Sequence, residues 1–586
     1  MSPYLRSVEG DPAEPRPGEA FAITVDGETV EALPGQSVAA ALMAGGRDSW
    51  RRTRGGERAR GVFCGIGACF DCLVVVNGLP DVRACQRVVA AGDEVRTQHG
   101  VELPGAGVAG ARMGAGAVAA GRADGVRVVP VVVVGAGPAG MSAAVAAADA
   151  GRSVVLVDAG TSVGGQFNRQ LPAEFRARRP EKLQHGWAAF ARLRDRIAGD
   201  PAITHLTETS VWAVERSERS TRLWLQRGEA DAAGRQVWAV ETPALVLATG
   251  AYDRVLPFPG WELPGVYTAG AAQALAKGQR IAVGRRVVVA GTGPFLLPVA
   301  ESLVGVGAEV VALLEANHPK TVARGWLSDP LAALTKLGEG AAYAALLARH
   351  RVPVKHGRTV IAAHGTDRVE AVTTARLDRN WTPIPGTEER LEVDAVCLGF
   401  GFTPNLELAV STRCQLTEGP DGGPAVLVDG NQQTTTPGVW AAGELTGIGG
   451  AALAAAEGHV AGTAAAGSVT DEKTIREVAK GKRFAKALAV AYPVRDGWLA
   501  WSGADTNVCR CEEVSRGDVE EAVKAREVGG ARSLKLSSRA GLGLCQGRVC
   551  GRNVAAISGV RNEYGRPVGQ PVRMSDLAGA EILEDL

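Results

Sequence analysis

The sequence predicts an α/β chain built on two βαβ units, with a small cysteine-bearing domain at each end. Three observations carry this. The segments VVPVVVVGAGPAGMSAAVAAADAGRSVVLVDAG and GRRVVVAGTGPFLLPVAESLVGVGAEVVALLEA each read strand, glycine turn, helix, strand. Four of the ten cysteines fall between positions 64 and 85, and four more between 509 and 550. The 586 residues, 46% hydrophobic with 76 glycines, suffice for several domains whose parallel strands end in tight turns.

The bulk numbers also exclude. Lys+Arg total 64 against 63 Asp+Glu, a formal net charge of +1, so nothing suggests nucleic acid or an anionic membrane as a partner. From Val128 to Ala148 there is no charged residue, but Pro130, Pro138 and three glycines in that run mark a buried strand and helix rather than a membrane span. The first seventeen residues are polar and Pro-rich, with no apolar core of an export signal. A cytoplasmic protein is expected, in contact with the inner membrane only through an electron acceptor. In such a compartment clustered cysteines suggest metal ligation or catalysis rather than disulfides.

The N-terminal domain is expected over 18–104. It opens on a hairpin, with Ile23, Val25 and Val30, Ala32 alternating about a turn at Asp26-Gly27. Its cysteines are Cys64, Cys69, Cys72 and Cys85, the C-x4-C-x2-C…C spacing of plant-type [2Fe–2S] sites. A tight loop wraps three thiolates about the cluster, and Gly65 and Gly67 let backbone N–H groups turn toward it without a Cβ clash. Zinc sites more often use paired C-x2-C knuckles, absent here. Residues 105–125, Gly/Ala-rich, read as a linker.

The first glycine turn is Gly135-Ala-Gly137-Pro138-Ala139-Gly140, and Asp158 ends the next strand. A pyrophosphate meets the helix N-terminus, and the acid accepts ribose hydroxyls. Three further elements accompany it: Gly164-Gly165-Gln166, Ala248-Thr249-Gly250 and Gly443-Glu444. The second turn is Gly291-Thr-Gly293-Pro294, with Glu315 at the following strand end, an acid that favours NAD over NADP. Leu296 occupies the third glycine position, so NAD, an adenylate alone or no ligand stand as open readings of this site.

The order of these elements resembles the two-dinucleotide-binding flavoproteins that include the pyridine-nucleotide disulfide reductases. The resemblance implies FAD at the first site, with the Ala-Thr-Gly strand end beside it. It also places the acid of the later motif, here Glu444 where Asp is usual, near the flavin's ribitol and pyrophosphate. Disulfide reductases need a redox dithiol in the core, yet no cysteine occurs from Asp158 to Arg390, which excludes that chemistry. Cys397, in the apolar run DAVCLGF, reads as a core residue, and Cys414 has no pattern around it.

The last cluster is Cys509-Arg-Cys511 with Cys545 and Cys550, C-x-C-x33-C-x4-C. It resembles the helical [2Fe–2S] module of bacterioferritin-associated ferredoxin (BFD), with structural zinc as the alternative. Gly541 and Gly543 bring the chain close to the cysteines, and the stretch Val519–Val523 suggests the intervening helix.

The expected fold is therefore α/β: a two-dinucleotide-binding, Rossmann-like flavoprotein core with an N-terminal ferredoxin-like α+β domain and a small C-terminal helical domain. FAD binding is expected over 126–280 and 371–465, a NAD-type domain over 281–370, a connecting segment over 466–505 and the last domain over 506–565. Across nearly the whole chain the set resembles the large component of heteromeric amino-acid-oxidising dehydrogenases: the opine oxidase A chain type, hydrogen cyanide synthase A and B fused, sarcosine oxidase α. That resemblance implies a β subunit of the D-amino-acid-oxidase type, carrying its own FAD, which oxidises a C–N bond and passes electrons through this chain to a downstream acceptor. No catalytic residue for carbon chemistry stands out here. The alternatives are a self-contained NADH-dependent reductase and a scaffold whose cofactor sites are structural.

Overall fold

The computed structural model describes residues 11–104, 127–334, 336–525, 528–561, 564–565 and 568–578. The linker expected at 105–125 lies outside them.

The N-terminal domain is a five-stranded mixed sheet packed on the short helix Val38–Ala44, all but the last residue of which are buried. The expected hairpin is present: Val25 pairs with Glu28, and Asp26 and Gly27 both have positive φ (51° and 84°), the I′ geometry that matches strand twist.

The FAD-type sheet runs, in spatial order, Ile203–Leu206, Val154–Val157, Val131–Val134, Leu245–Leu247, Val439–Ala441, with every neighbour parallel. Its strands read as unbroken apolar runs because helices cover one face and a β-layer (Thr209–Arg216, Thr221–Arg227, Gln236–Thr242) packs on the other. The second sheet is also parallel, ordered Val266–Thr268, Ala395–Gly399, Arg286–Gly291, Glu309–Glu315, Val354–His356.

Two of those strands lie outside the 281–370 read from the sequence. Val266–Thr268 and Ala395–Gly399 hydrogen-bond into the second sheet, so the crossings between the two halves come earlier and later than 281 and 371. Strands of three and five residues carry too little periodicity to reveal which sheet they join. The segment 466–505 holds a twenty-residue helix, Glu472–Ala491, capped by the Asp471 carboxylate, which lies against the second domain. A Cβ at Gly325 would lie 2.2 Å from the Ala491 Cα. In the last domain, helices Arg516–Ala525, Ala531–Ser538 and Gly551–Ser558 enclose a core that includes Cys509 and Cys550.

Candidate functional site

The first glycine turn draws four separate stretches of chain together, and the absence of Cβ atoms is what permits it. At Gly135 (φ 103°) a Cβ would meet the Ala248 carbonyl at 2.3 Å, and at Gly140 it would meet the Gly135 carbonyl at 1.6 Å. At Gly165 it would lie 2.7 Å from the Gly137 Cα, and at Gly443 it would lie 3.0 Å from the Ala139 Cβ. Gly135, Gly137, Gly140, Gly165, Ala248 and Gly443 thus converge on the N-terminus of helix Pro138–Asp149. Pro138 opens that helix, and no side chain caps it, so its first N–H groups remain available to a phosphate.

Asp158 faces the same turn: its carboxylate accepts from Ala136 N–H at 2.5 Å and Gly160 N–H at 2.7 Å. The Thr249 hydroxyl donates to the Asn405 carbonyl at 2.8 Å, fixing the strand end before Gly250. Gln166 is exposed and accepts from Arg169. Glu444 turns toward the start of the following helix, Ala451–Ala465, accepting from Gly450 N–H at 2.8 Å and Gly449 N–H at 3.3 Å, while burial pushes its carboxyl up to about 7. A second acid here escaped the sequence reading. Glu457, 2% exposed, accepts from Gly443 N–H at 3.1 Å and from the Thr446 hydroxyl at 2.8 Å. It sits mid-helix in an Ala-rich run, where only its isolation as a charge could have marked it.

The second turn is built differently. Gly291 (φ 155°) needs its missing Cβ, which would lie 1.8 Å from the Gly399 carbonyl. Gly293 and Pro294 follow it, but Glu315 is already engaged. One oxygen accepts from the Thr292 hydroxyl (2.7 Å) and Asn317 N–H (2.8 Å), the other from Gly293 N–H (2.9 Å). Glu315 is 4% exposed, and burial pushes its carboxyl up to about 7. The Asn317 amide donates to Thr292 and to the carbonyl of Pro493, so the connecting segment reaches this turn. Both Glu315 oxygens are hydrogen-bonded, as both Asp158 oxygens are, but Glu315 is buried where Asp158 is only half-buried.

Each cysteine quartet is assembled in the fold. The Cys69 thiol influences the titration of Cys64, and the Cys85 thiol that of Cys72. The Ala68 and Cys69 N–H groups donate to Cys64 Sγ, both at 3.3 Å, and Asp71 N–H donates to Cys69 Sγ at 3.4 Å. Burial alone would push the Cys64 thiol up, but these bonds outweigh it and bring it to about 7. Gly65 and Gly67 have φ of 63° and 74°, and Ala84 N–H donates to the Cys72 carbonyl, holding Cys85 beside it.

In the C-terminal quartet Cys511 Sγ lies 3.8 Å from Cys509 Sγ and 3.7 Å from Cys545 Sγ, and Cys509 contacts Cys550. Hydrogen bonds from Cys511 and Cys550 bring the Cys509 thiol down to about 3. A Cβ at Gly543 would lie 2.5 Å from Cys511 Sγ. Among the described residues no three His, Cys, Asp or Glu side chains could hold one metal ion between them. The sulfur contacts of this quartet run in sequence, Cys550 to Cys509 to Cys511 to Cys545. Cys397 and Cys414 stand apart: burial pushes the Cys397 thiol up, and Cys414 lies within hydrogen-bond reach of the Thr412 and Thr434 hydroxyls.

Three family models match in the same order: a 2Fe-2S iron-sulfur cluster binding domain over 18–100, the pyridine nucleotide-disulphide oxidoreductases over 129–458 and a BFD-like [2Fe-2S] binding domain over 507–557. The hydrogen cyanide synthase subunit HcnB of Pseudomonas protegens is 31% identical, covering 72% of this chain and 89% of its own. The opine oxidase A polypeptide of Agrobacterium tumefaciens is 31% identical over 76% of this chain and 91% of its own. The alpha polypeptide of a Corynebacterium sarcosine oxidase is 28% identical over 68% of this chain but only 39% of its own. Among solved structures, L-proline dehydrogenase from P. horikoshii shares the fold, with a TM-score of 0.69 at 19% identity, covering 98% of this chain and all of that one.

Proposed function

We propose that this chain, which belongs to the pyridine nucleotide-disulphide oxidoreductase family and carries a [2Fe–2S] domain at either end of its FAD-binding core, is the electron-handling α subunit of a heteromeric amine dehydrogenase. The chain is an oxidoreductase, and its relatives include subunits of opine oxidase and sarcosine oxidase. The partner would be a β subunit of the D-amino-acid-oxidase type with its own FAD. Its substrate would be an amino acid or N-substituted amino acid of the opine, sarcosine, proline or glycine type. Among the described residues no helix is long and apolar enough to cross a membrane. A cytoplasmic complex that meets an electron acceptor is the setting the reading implies.

The observation that carries the reading is how electrons could enter. The family's redox dithiol has no counterpart between Asp158 and Arg390, and Glu315, the ribose-binding candidate of the second turn, is buried where Asp158 of the first is half-buried. On this reading a disulfide and a pyridine nucleotide are the less well supported electron donors, and the first nucleotide site with the two cysteine quartets carries the relay.

When bound, FAD supplies two-electron chemistry and the clusters one-electron steps. The chain's own residues position these groups. The helix N-terminus after Gly137 would take the pyrophosphate, Asp158 the ribose, and Cys64, Cys69, Cys72, Cys85 and Cys509, Cys511, Cys545, Cys550 the irons.

The test is copurification with the product of the neighbouring gene, then a screen of opines, sarcosine, proline and glycine with an artificial electron acceptor. Turnover by the complex and none by the chain alone is expected. Robust amine oxidation by the isolated chain would overturn the proposal, as would rapid flavin bleaching by NADH.

A further inference from the structure

The two thiolate quartets, more than 400 residues apart in sequence, meet in the fold. Phe70 and Leu73, within and just after the first ligand loop, pack directly on Cys545, with Cys511 and Val549 at the edge of the contact. Val549 also lies against the core that holds Phe63, Cys64 and Cys69. At the centre is one buried ion pair. Arg510 Nε donates to Asp71 Oδ2 at 2.7 Å, with the two side chains 5% and 2% exposed. Asp71 stands between Cys69 and Cys72, and Arg510 between Cys509 and Cys511. The Arg510 guanidinium lies 3.9 Å from the Phe63 ring centroid and 5.0 Å from that of Trp261, and it donates to the Trp261 carbonyl. Around the rim, Glu513 accepts from the Thr53 hydroxyl and Gly56 N–H, both at 2.8 Å, and Arg54 pairs with Glu512.

A buried ion pair is poor stability value compared with apolar packing, because both charges must be desolvated. Its geometric demand is strict, however: separating the partners leaves an uncompensated buried charge. Because each partner sits between two ligand cysteines, that demand falls on the ligand loops themselves. A slip of either loop would break the pair, the stacking of Arg510 on Phe63 and the Trp261 bond at once.

We propose that Asp71 and Arg510 are positioning residues that lock the two ligand loops together, so that the clusters form a directly coupled pair. One electron can then cross between them without leaving the protein. The donor cluster is oxidised by one electron and the acceptor reduced by one; the ion pair is already internally neutral, so no proton need move. The inference rests on the electron-transfer reading above, but it concerns a coupling within this chain that needs neither partner nor substrate.

The test is electron paramagnetic resonance of the full chain reduced with dithionite. Its comparator is Cys511→Ser, made to lack the C-terminal cluster. The wild-type spectrum should not be a sum of two independent signals, and the power for half-saturation should rise severalfold over that of the comparator. In Arg510→Gln, at unchanged iron content, the interaction should collapse toward the comparator, with Arg510→Lys restoring part of it. Should Arg510→Gln lose iron, the isosteric Asp71→Asn carries the same comparison. Two non-interacting signals in the wild type, or an undiminished interaction in the iron-replete variant, would overturn the proposal. Either result leaves the substrate screen standing on its own terms.

Discussion

The contact between helices Pro138–Asp149 and Ala451–Ala465 makes a sharp prediction about flavin retention. A Cβ at Gly458 would lie 2.0 Å from the Ala139 carbonyl oxygen, a backbone atom that cannot swing aside. One turn on, a Cβ at Gly462 would meet the Ala143 carbonyl at 2.1 Å. Gly458→Ala must therefore push the helices apart at the turn that begins the FAD-binding helix. Overpacking of this kind costs roughly 1–3 kcal/mol. At about 2–4 °C per kcal/mol for a domain of this size, the melting temperature should fall by several degrees. Because Ala139 belongs to the glycine turn, flavin content after gel filtration should fall as well. Gly430→Ala, where a Cβ would meet nothing within 4 Å, is the control and should change neither. A Gly458→Ala protein with wild-type melting temperature and full flavin would refute the reasoning.

Three further outcomes follow from the same geometry. Burial raises the Glu315 carboxyl from 4.5 to about 7, so between those values the folded chain holds a proton that the unfolded chain has released. Stability should fall as pH rises through that window, by an amount on the order of 3 kcal/mol from this one site; a denaturant midpoint flat between pH 5 and 8 would contradict it. Gly543→Ala should evict the C-terminal cluster while leaving the other, because its Cβ would lie 2.5 Å from Cys511 Sγ; iron assay and absorption spectra read this directly. Glu407→Gln removes the partner of Arg548 from a pair 2.7 Å apart and under 10% exposed at both ends. Breaking it should cost about 3–5 kcal/mol and expose the C-terminal domain to limited proteolysis.

What the sequence made legible was whatever a short local pattern dictates. The I′ turn at Asp26-Gly27 needs only two residues tolerant of positive φ. The two βαβ units need only an apolar strand, glycines and an apolar helix, and both formed where expected. Other features were set by contacts distant along the chain. Val266–Thr268 and Ala395–Gly399 join the second sheet through pairings between residues more than a hundred positions apart, which strands of three and five residues cannot announce. Asp71 and Arg510 were each visible as the residue beside a cysteine, but neither names the other. Glu315 shows the same limit from the opposite side: the strand-end acid is where the fingerprint puts it, yet its bonds to Thr292 and Asn317 could not be read from the pattern.

The buried acid of the second turn poses a question about how such a site is held when no nucleotide occupies it. The second sheet supplies the close approach of Gly291 to the Gly399 carbonyl, which the missing Cβ of Gly291 allows. Around it, the polar groups of the turn are satisfied internally, by Glu315, Thr292 and Asn317 together with the Pro493 carbonyl of the connecting segment. Buried donors must find partners whether or not a nucleotide supplies them, so a site that closes on itself and one that waits for ligand differ in a handful of hydrogen bonds. Asn317→Ala isolates that difference. It removes the tie to Pro493 and one support of Thr292 while leaving the Glu315 bonds to Gly293 and Thr292 in place. If internal satisfaction is what shuts the site, the variant should gain affinity for NADH or an adenylate, read by fluorescence titration against the wild-type chain. No gain at any nucleotide concentration would mean that the fold of the turn, rather than its hydrogen bonds, closes it.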